Sequence, residues 1–184
     1  NVYCVLCDET NAVAEQITNL ASRGYPNIMY LYDTETYSGY QKLTGYKRGL
    51  SMNGIAYNPK LVAQFSEDEQ HPVFDQVYEH AKGLIERNVP ISALPAADDI
   101  LAIAAQKAFV EAGIRIPAIG FNNTSVSLCS TPALSTIDIF METMCETAIN
   151  LLLRVLRGEP AAPKIVLSSC LIERDSFRLD NRYS

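Results

Sequence analysis

At 184 residues with 48% hydrophobic content, the chain has room for a real core, which excludes a disordered or low-complexity polymer. No apolar run is long enough to span a bilayer and no charged-then-apolar leader opens the chain, so no membrane partner is expected. A net charge of −6 argues against this segment gripping nucleic acid by itself, since that binding rests on neutralising phosphates.

Val2 to Cys7 reads as an apolar strand ending at Asp8. Val13, Ala14, Ile17, Leu20 and Ala21 then recur at helical spacing until Gly24 stops the helix. Asn27 to Tyr32 is the next strand. Asp33 to Gly39 is polar and turn-rich, and leads into a helix with Leu43, Tyr46 and Leu50 on one face. Ser66 to Gln70 is an acidic loop. From about Pro72 to Arg87, Phe74, Val77, Tyr78, Ala81, Leu84 and Ile85 form one helical stripe. His71 and His80 lack a metal-ligand spacing and read as surface residues, so no metal is expected.

Ile91 to Ala97 follows Pro90 and suits a buried strand. Asp98 and Asp99 come next, and either can cap the following helix, which Gly113 closes. Ile114 to Phe121 is a second buried strand, and Thr124 to Thr131 a polar loop. The helix from Phe140 to Leu156 is apolar well beyond a single stripe, which predicts burial on more than one side. Lys164 to Ile172 reads as a last strand.

Strands and helices alternate, with crossovers of about ten residues or more. That pattern predicts an α/β fold: a three-layer, mostly parallel sheet with helices on both faces. Asp98 and Asp99 would then lie at the C-terminal sheet edge, where such folds bind ligands. The five cysteines are too scattered for a disulfide framework and read as buried, reduced thiols. Cys4 and Cys7 fall inside a strand-like run, which suits neither a redox nor a zinc role. There is no dinucleotide fingerprint, no phosphate-binding Walker loop and no nucleophile elbow. A phosphoacceptor reading of Asp98 and Asp99 fails: the pair follows the third predicted strand instead of the first, and no lysine ends the fourth. Neither an enzyme nor a cofactor is expected.

The stretch Ala96-Ala97-Asp98-Asp99-Ile100-Leu101-Ala102, then Gly113-Ile114-Arg115-Ile116-Pro117, then Ile119-Gly120-Phe121-Asn122-Asn123, resembles the effector-binding core of LacI-family transcription regulators. So do Cys7-Asp8-Glu9, Lys42-Leu43-Thr44-Gly45-Tyr46, Pro132 to Ile137 and the closing Leu171-Ile172-Glu173-Arg174-Asp175-Ser176. The resemblance runs from about Val5 to Ser176. It implies a type I periplasmic-binding-protein-like fold, here mainly the C-terminal lobe at about 9–120 and 160–178. An excursion at about 122–158 would belong to the other lobe, and the DNA-binding domain would precede this chain.

It further implies a cytoplasmic repressor that binds a small polar effector, a sugar or related metabolite. Operator DNA would be reached only through the missing helix-turn-helix. Asp99 is the first candidate for effector contact, followed by Asp8, Lys42, Ser38 and Asn122. Lys42 stands where the family has an arginine, and a lysine offers a point charge without the planar fork. The family also implies a homodimer, built in part from the helices near 73–87 and 99–112. A periplasmic sugar-binding protein of a transporter is the alternative. With most of one lobe missing, the helix from Phe140 to Leu156 is expected to find a substitute partner, and the chain alone to bind effector weakly.

Overall fold

The computed structural model describes residues 2–33, 36–68 and 70–178. Thr34 and Glu35, in the turn-rich segment, and Glu69, in the acidic loop, lie outside the described residues. The chain runs β1 (Cys4–Cys7), α1 (Glu9–Ser22), β2 (Tyr30–Asp33), α2 (Tyr37–Met52), β3 (Val62–Phe65), α3 (Val73–Glu86), β4 (Leu94–Pro95) and α4 (Asp99–Glu111). It continues with β5 (Ala118–Phe121), α5 (Val126–Cys129), β6 (Ser135–Asp138), α6 (Met141–Leu156), β7 (Lys164–Leu167) and β8 (Cys170–Ile172).

The main sheet is assembled from two ladders. β2 pairs with β3, and β4-β5-β6-β8 form a four-stranded sheet. Parallel bridges Ile28–Ala93 and Leu31–Ala96 join them. All of these pairs are parallel except β6 with β8. Alternation along β2 sorts its side chains to opposite faces, as a period of two requires. Met29 and Leu31 pack with Val77, Leu84, Leu101 and Phe109 of α3 and α4. Ile28 and Tyr30 pack with Val13, Ile17, Tyr46 and Leu50 of α1 and α2. The expected three layers are therefore present.

On the second face α1 and α2 touch backbone to backbone. A Cβ at Gly45 would lie 2.5 Å from the Thr10 carbonyl oxygen, and one at Gly49 would lie 2.6 Å from Ile17 Cβ. Only glycine permits that approach.

Several expectations need correction. Val62 to Phe65 is a strand that was not foreseen, so Asp98 and Asp99 follow the fourth strand, not the third. The loop from Thr124 to Thr131 holds the short helix α5. Lys164 to Ile172 is not one strand. β7 pairs with β1 in a separate two-stranded sheet, whereas β8 pairs with β6, so the chain changes sheets between them. β6 itself pairs with β5, Ile119 opposite Ser135, so the first part of the 122–158 excursion stays in the main sheet. Among the described residues, β1, α6 and β7 stand apart from it.

Nor does α6 find cover on more than one side. It leans on β1 and buries Leu151 alone, leaving Met141, Ile149, Leu152, Leu153 and Leu156 exposed. The cysteines are free, as expected, but none is buried: Cys4 and Cys7 are half-buried and the other three are exposed. His71 is exposed, whereas His80 is half-buried with its ring edge-on to Phe65.

Candidate functional site

Parallel strands all deliver their following loops to one sheet edge, and a cleft of about 630 Å³ opens there. Asp33 enters it from the end of β2, and Ser38, Gly39 and Lys42 from the first turns of α2. Phe65, Ser66 and Glu67 follow β3, while Pro72, Val73 and Phe74 come from the start of α3. Ala97, Asp98, Ile100 and Leu101 complete it from the start of α4. The lining is thus part apolar and aromatic and part carboxylate and hydroxyl. This mixture suits a ligand with both a hydrocarbon face and polar groups.

Lys42 is not the solvated surface side chain its type suggests. It is 6% exposed, and Nζ donates to the Ala97 carbonyl over 2.9 Å. Glu9 Oε1 lies 3.6 Å from Nζ, and the Phe121 ring centroid 4.2 Å. Burial holds its pKa below the ordinary lysine value, against the opposing pull of Glu9 and Asp98. Ser38 Oγ donates to the same Glu9 oxygen over 2.6 Å, so Glu9 organises both cleft residues. Glu9 was not foreseen as a site residue. Its only sequence signal was its place beside Asp8, the α1 cap.

The aspartate pair divides its roles in the reverse of the expected order. Asp98 lines the cleft: Oδ1 accepts from the Ile100 N–H over 2.8 Å and Oδ2 from Asn122 Nδ2 over 2.9 Å. Asp99 is fully buried. Its Oδ2 accepts from the Thr124 N–H and hydroxyl at 2.7 and 2.6 Å, and its Oδ1 from the Thr136 hydroxyl at 2.5 Å. Desolvation pushes its pKa above the usual carboxylate value despite those bonds. Asp99 therefore ties the sheet edge together and offers no face to the cleft, which corrects the first candidate.

Asp8 is exposed, caps α1 by accepting from the Asn11 N–H at 3.0 Å, and does not line the cleft. Asn122 stands behind Asp98, with a left-handed φ of 95°. Of the five candidates, Ser38 and Lys42 line the cleft, Asn122 reaches it through Asp98, and Asp8 and Asp99 do not reach it.

Residues 17–177 match the family described as periplasmic binding protein-like domain. The chain belongs to that family. Among curated relatives it is 33% identical to an HTH-type transcriptional regulator of Lachnoclostridium phytofermentans, over 94% of this chain and 52% of that protein. It is 31% identical to the HTH-type transcriptional regulator AscG of Escherichia coli, over 98% of this chain and 54% of that protein. The chain thus spans about half the length of these relatives.

A solved structure of a sugar-binding transcriptional regulator of the LacI family from Escherichia coli, complexed with phosphate, superposes with a TM-score of 0.83. It shares 31% identity, over 94% of this chain and 62% of that one. The likeness to LacI-family regulators read from the sequence holds, and covers the effector-binding domain only. These relatives are regulators of transcription, which disfavours the transporter alternative. Among the described residues no helix is long and apolar enough to cross a membrane.

Proposed function

We propose that the chain is the effector-sensing part of a LacI-type transcriptional regulator and that its cleft binds a sugar or related small polar metabolite. The observation that carries this is the cleft at the ends of β2, β3 and β4, whose lining combines hydroxyls and carboxylates with the rings of Phe65 and Phe74. A carboxylate such as Asp98 accepts hydrogen bonds from vicinal hydroxyls, and an aromatic wall covers the C–H face of a sugar ring. Asp98 and Ser38 are the contact residues in this reading. Lys42 is a positioning residue that ties α2 to the end of β4.

The remaining parts of the reading follow from it. A regulator of this kind acts in the cytoplasm and reaches its operator through a helix-turn-helix outside this chain. Two-fold operators favour a homodimer. The outer face near α3 and α4, where Val110 and Ile114 are 40% and 38% exposed, is the surface for it. The main sheet with its four flanking helices forms one lobe, and β1, α6 and β7 belong to a second. A ligand gripped between two lobes needs both walls, so the 184-residue chain alone should bind more weakly than the full-length protein. The test is calorimetry of the full-length protein against a panel of sugars, paired with operator release in a gel shift. A sugar that binds and changes operator affinity supports the reading. Failure of every sugar to do either would overturn it.

A further inference from the structure

The unit of β1, α6 and β7 joins the main sheet through three chain crossings: β1 to α1, β6 to α6 and β7 to β8. The second crossing has an unusual backbone. Phe140, which starts α6, is left-handed, with φ 52° and ψ 56°. Among the described residues the other non-glycine positions of positive φ are Asn88, Asn122 and Asn123, and asparagine tolerates that region better than most. For an aromatic residue the left-handed region is costly and persists only where neighbouring groups enforce it. The Phe140 ring supplies little of that enforcement, being 41% exposed. Nor does the body of α6, which leans on β1 and buries Leu151 alone.

The enforcing group is Asp138, the last residue of β6. Its Oδ1 accepts from the Phe140 N–H over 2.7 Å and its Oδ2 from Asn123 Nδ2 over 3.0 Å. Asn123 is fixed in turn: its Oδ1 accepts from Arg174 Nη2 over 2.6 Å, and its N–H donates to Thr136 Oγ1 over 3.2 Å. Asp138 thus holds the main sheet with one oxygen and the start of α6 with the other. From these contacts we infer that Asn123, Asp138 and Phe140 form a strained latch that holds α6 in one of two attitudes to the main sheet. With both bonds made, Phe140 stays left-handed. With them broken, Phe140 relaxes to negative φ and α6 swings about the crossing. Asn122, which clamps Asp98, directly precedes Asn123, so the latch and the cleft carboxylate share one two-residue turn.

The test is pulsed electron resonance between two spin labels, carried by non-canonical amino acids at Ala112, just after α4, and Asn150, in α6. It is read in the 184-residue chain at a concentration where it sediments as a monomer. The parent should give one dominant distance. Asp138→Ala removes both bonds, and a second distance should gain about fivefold for each bond lost. Phe140→Pro has no N–H and is fixed at negative φ, so the second distance should stand alone. Phe140→Gly adopts the left-handed region freely and should keep the parent's distance. Added to Asp138→Ala, Phe140→Gly should draw the balance back toward the parent's distance by about tenfold. A distribution that Asp138→Ala leaves unchanged would overturn the inference, since α6 would then be held by something else. So would a double variant no closer to the parent than Asp138→Ala alone, since strain at Phe140 would then play no part. Circular dichroism shows which variants fold; should Phe140→Pro not, Asp138→Ala and the double variant decide.

Discussion

Asn122 Nδ2 donates to Asp98 Oδ2 over 2.9 Å, while the other Asp98 oxygen accepts from the Ile100 N–H. The cleft carboxylate is therefore clamped from two sides, by its own helix and by the segment leaving β5. Asn122 and the following Asn123 both have positive φ, at 95° and 49°, a conformation asparagine tolerates better than most residues. Asn122→Gly keeps that backbone and removes the donor, freeing Asp98 to swing. Effector affinity of the full-length protein should fall about fivefold, the worth of one hydrogen bond of about 1 kcal/mol. Calorimetry reads it, and unchanged affinity would show that Asn122 does not position Asp98.

Asp99 should behave as a structural residue. Asp99→Ala strips three hydrogen bonds from Thr124 and Thr136 at a buried site, at a cost of about 3 kcal/mol in urea denaturation. The pH dependence follows from its raised pKa. Above 3.8 the native chain holds this proton longer than the unfolded chain does, so stability is lost as pH rises from 3.8 through the folded value. Asp99→Asn has no such proton. The stability of the parent minus that of the variant should fall over this interval. A flat difference would mean that Asp99 is not desolvated.

How far these roles could be read from sequence depended on whether their cause is local. Asp98 as a helix cap was legible, because the capping bond spans two residues. The burial of Lys42 was not: its acceptor is the carbonyl of Ala97, 55 residues away, and a lone lysine near the start of a helix carries no sign of it. The long periodic helices α3 and α4 were legible from their stripes. β3 and β6 were missed although they are as long as β1, β2 and β5, because Gln64 interrupts the apolar run of one and Ser135, Thr136 and Asp138 leave Ile137 alone in the other. β7 and β8 fused into one predicted strand because Ser168 and Ser169, with no glycine or proline, gave no signal that the chain was leaving one sheet for another. α6 looked buried because apolar breadth states what a helix can cover, not what stands beside it.

His80 supplies a second pH dependence, of opposite sign on the acid side. Burial holds its pKa below 6.5, with Arg87 adding to the effect. Just below 6.5 the unfolded chain binds this proton and the native chain does not. The stability contribution is therefore complete above 6.5 and is lost as pH falls toward the lowered folded value. His80→Leu should flatten the decline in melting temperature between about pH 7 and 5, the range in which histidine titrates. An equally steep decline in the variant would assign it to other groups.

The contact of α1 with α2 can be tested through Gly45. A methyl there meets the Thr10 carbonyl at 2.5 Å and Val13 Cβ at 2.9 Å, and backbone cannot rotate aside. Gly45→Ala should cost about 2–3 kcal/mol by forcing the helices apart. Gly83→Ala in α3 is the control. The nearest atoms to its methyl belong to the mobile end of Arg87, at 3.3 Å, so helix propensity should stabilise it by about 0.5–1 kcal/mol. Equal effects at the two sites, read from urea midpoints, would mean that the α1–α2 approach is looser than this geometry.

The exposed face of α6 gives the last prediction. Ile149, Leu152 and Leu156 are 58%, 56% and 73% exposed on a helix that buries only Leu151. Each such side chain gains roughly 1.5–3 kcal/mol on full burial, so a 184-residue chain in solution has strong reason to cover them by associating through this face. The variant Ile149→Glu, Leu152→Glu, Leu156→Glu should bind less of a hydrophobic dye and lose its concentration-dependent association in sedimentation. Its stability should change by less than about 1 kcal/mol, because these positions support no core contact. Any dimer that survives the triple substitution would then run through the α3 and α4 face. If the variant instead unfolds, α6 is covered by its own chain in solution and the exposed face described above is wrong.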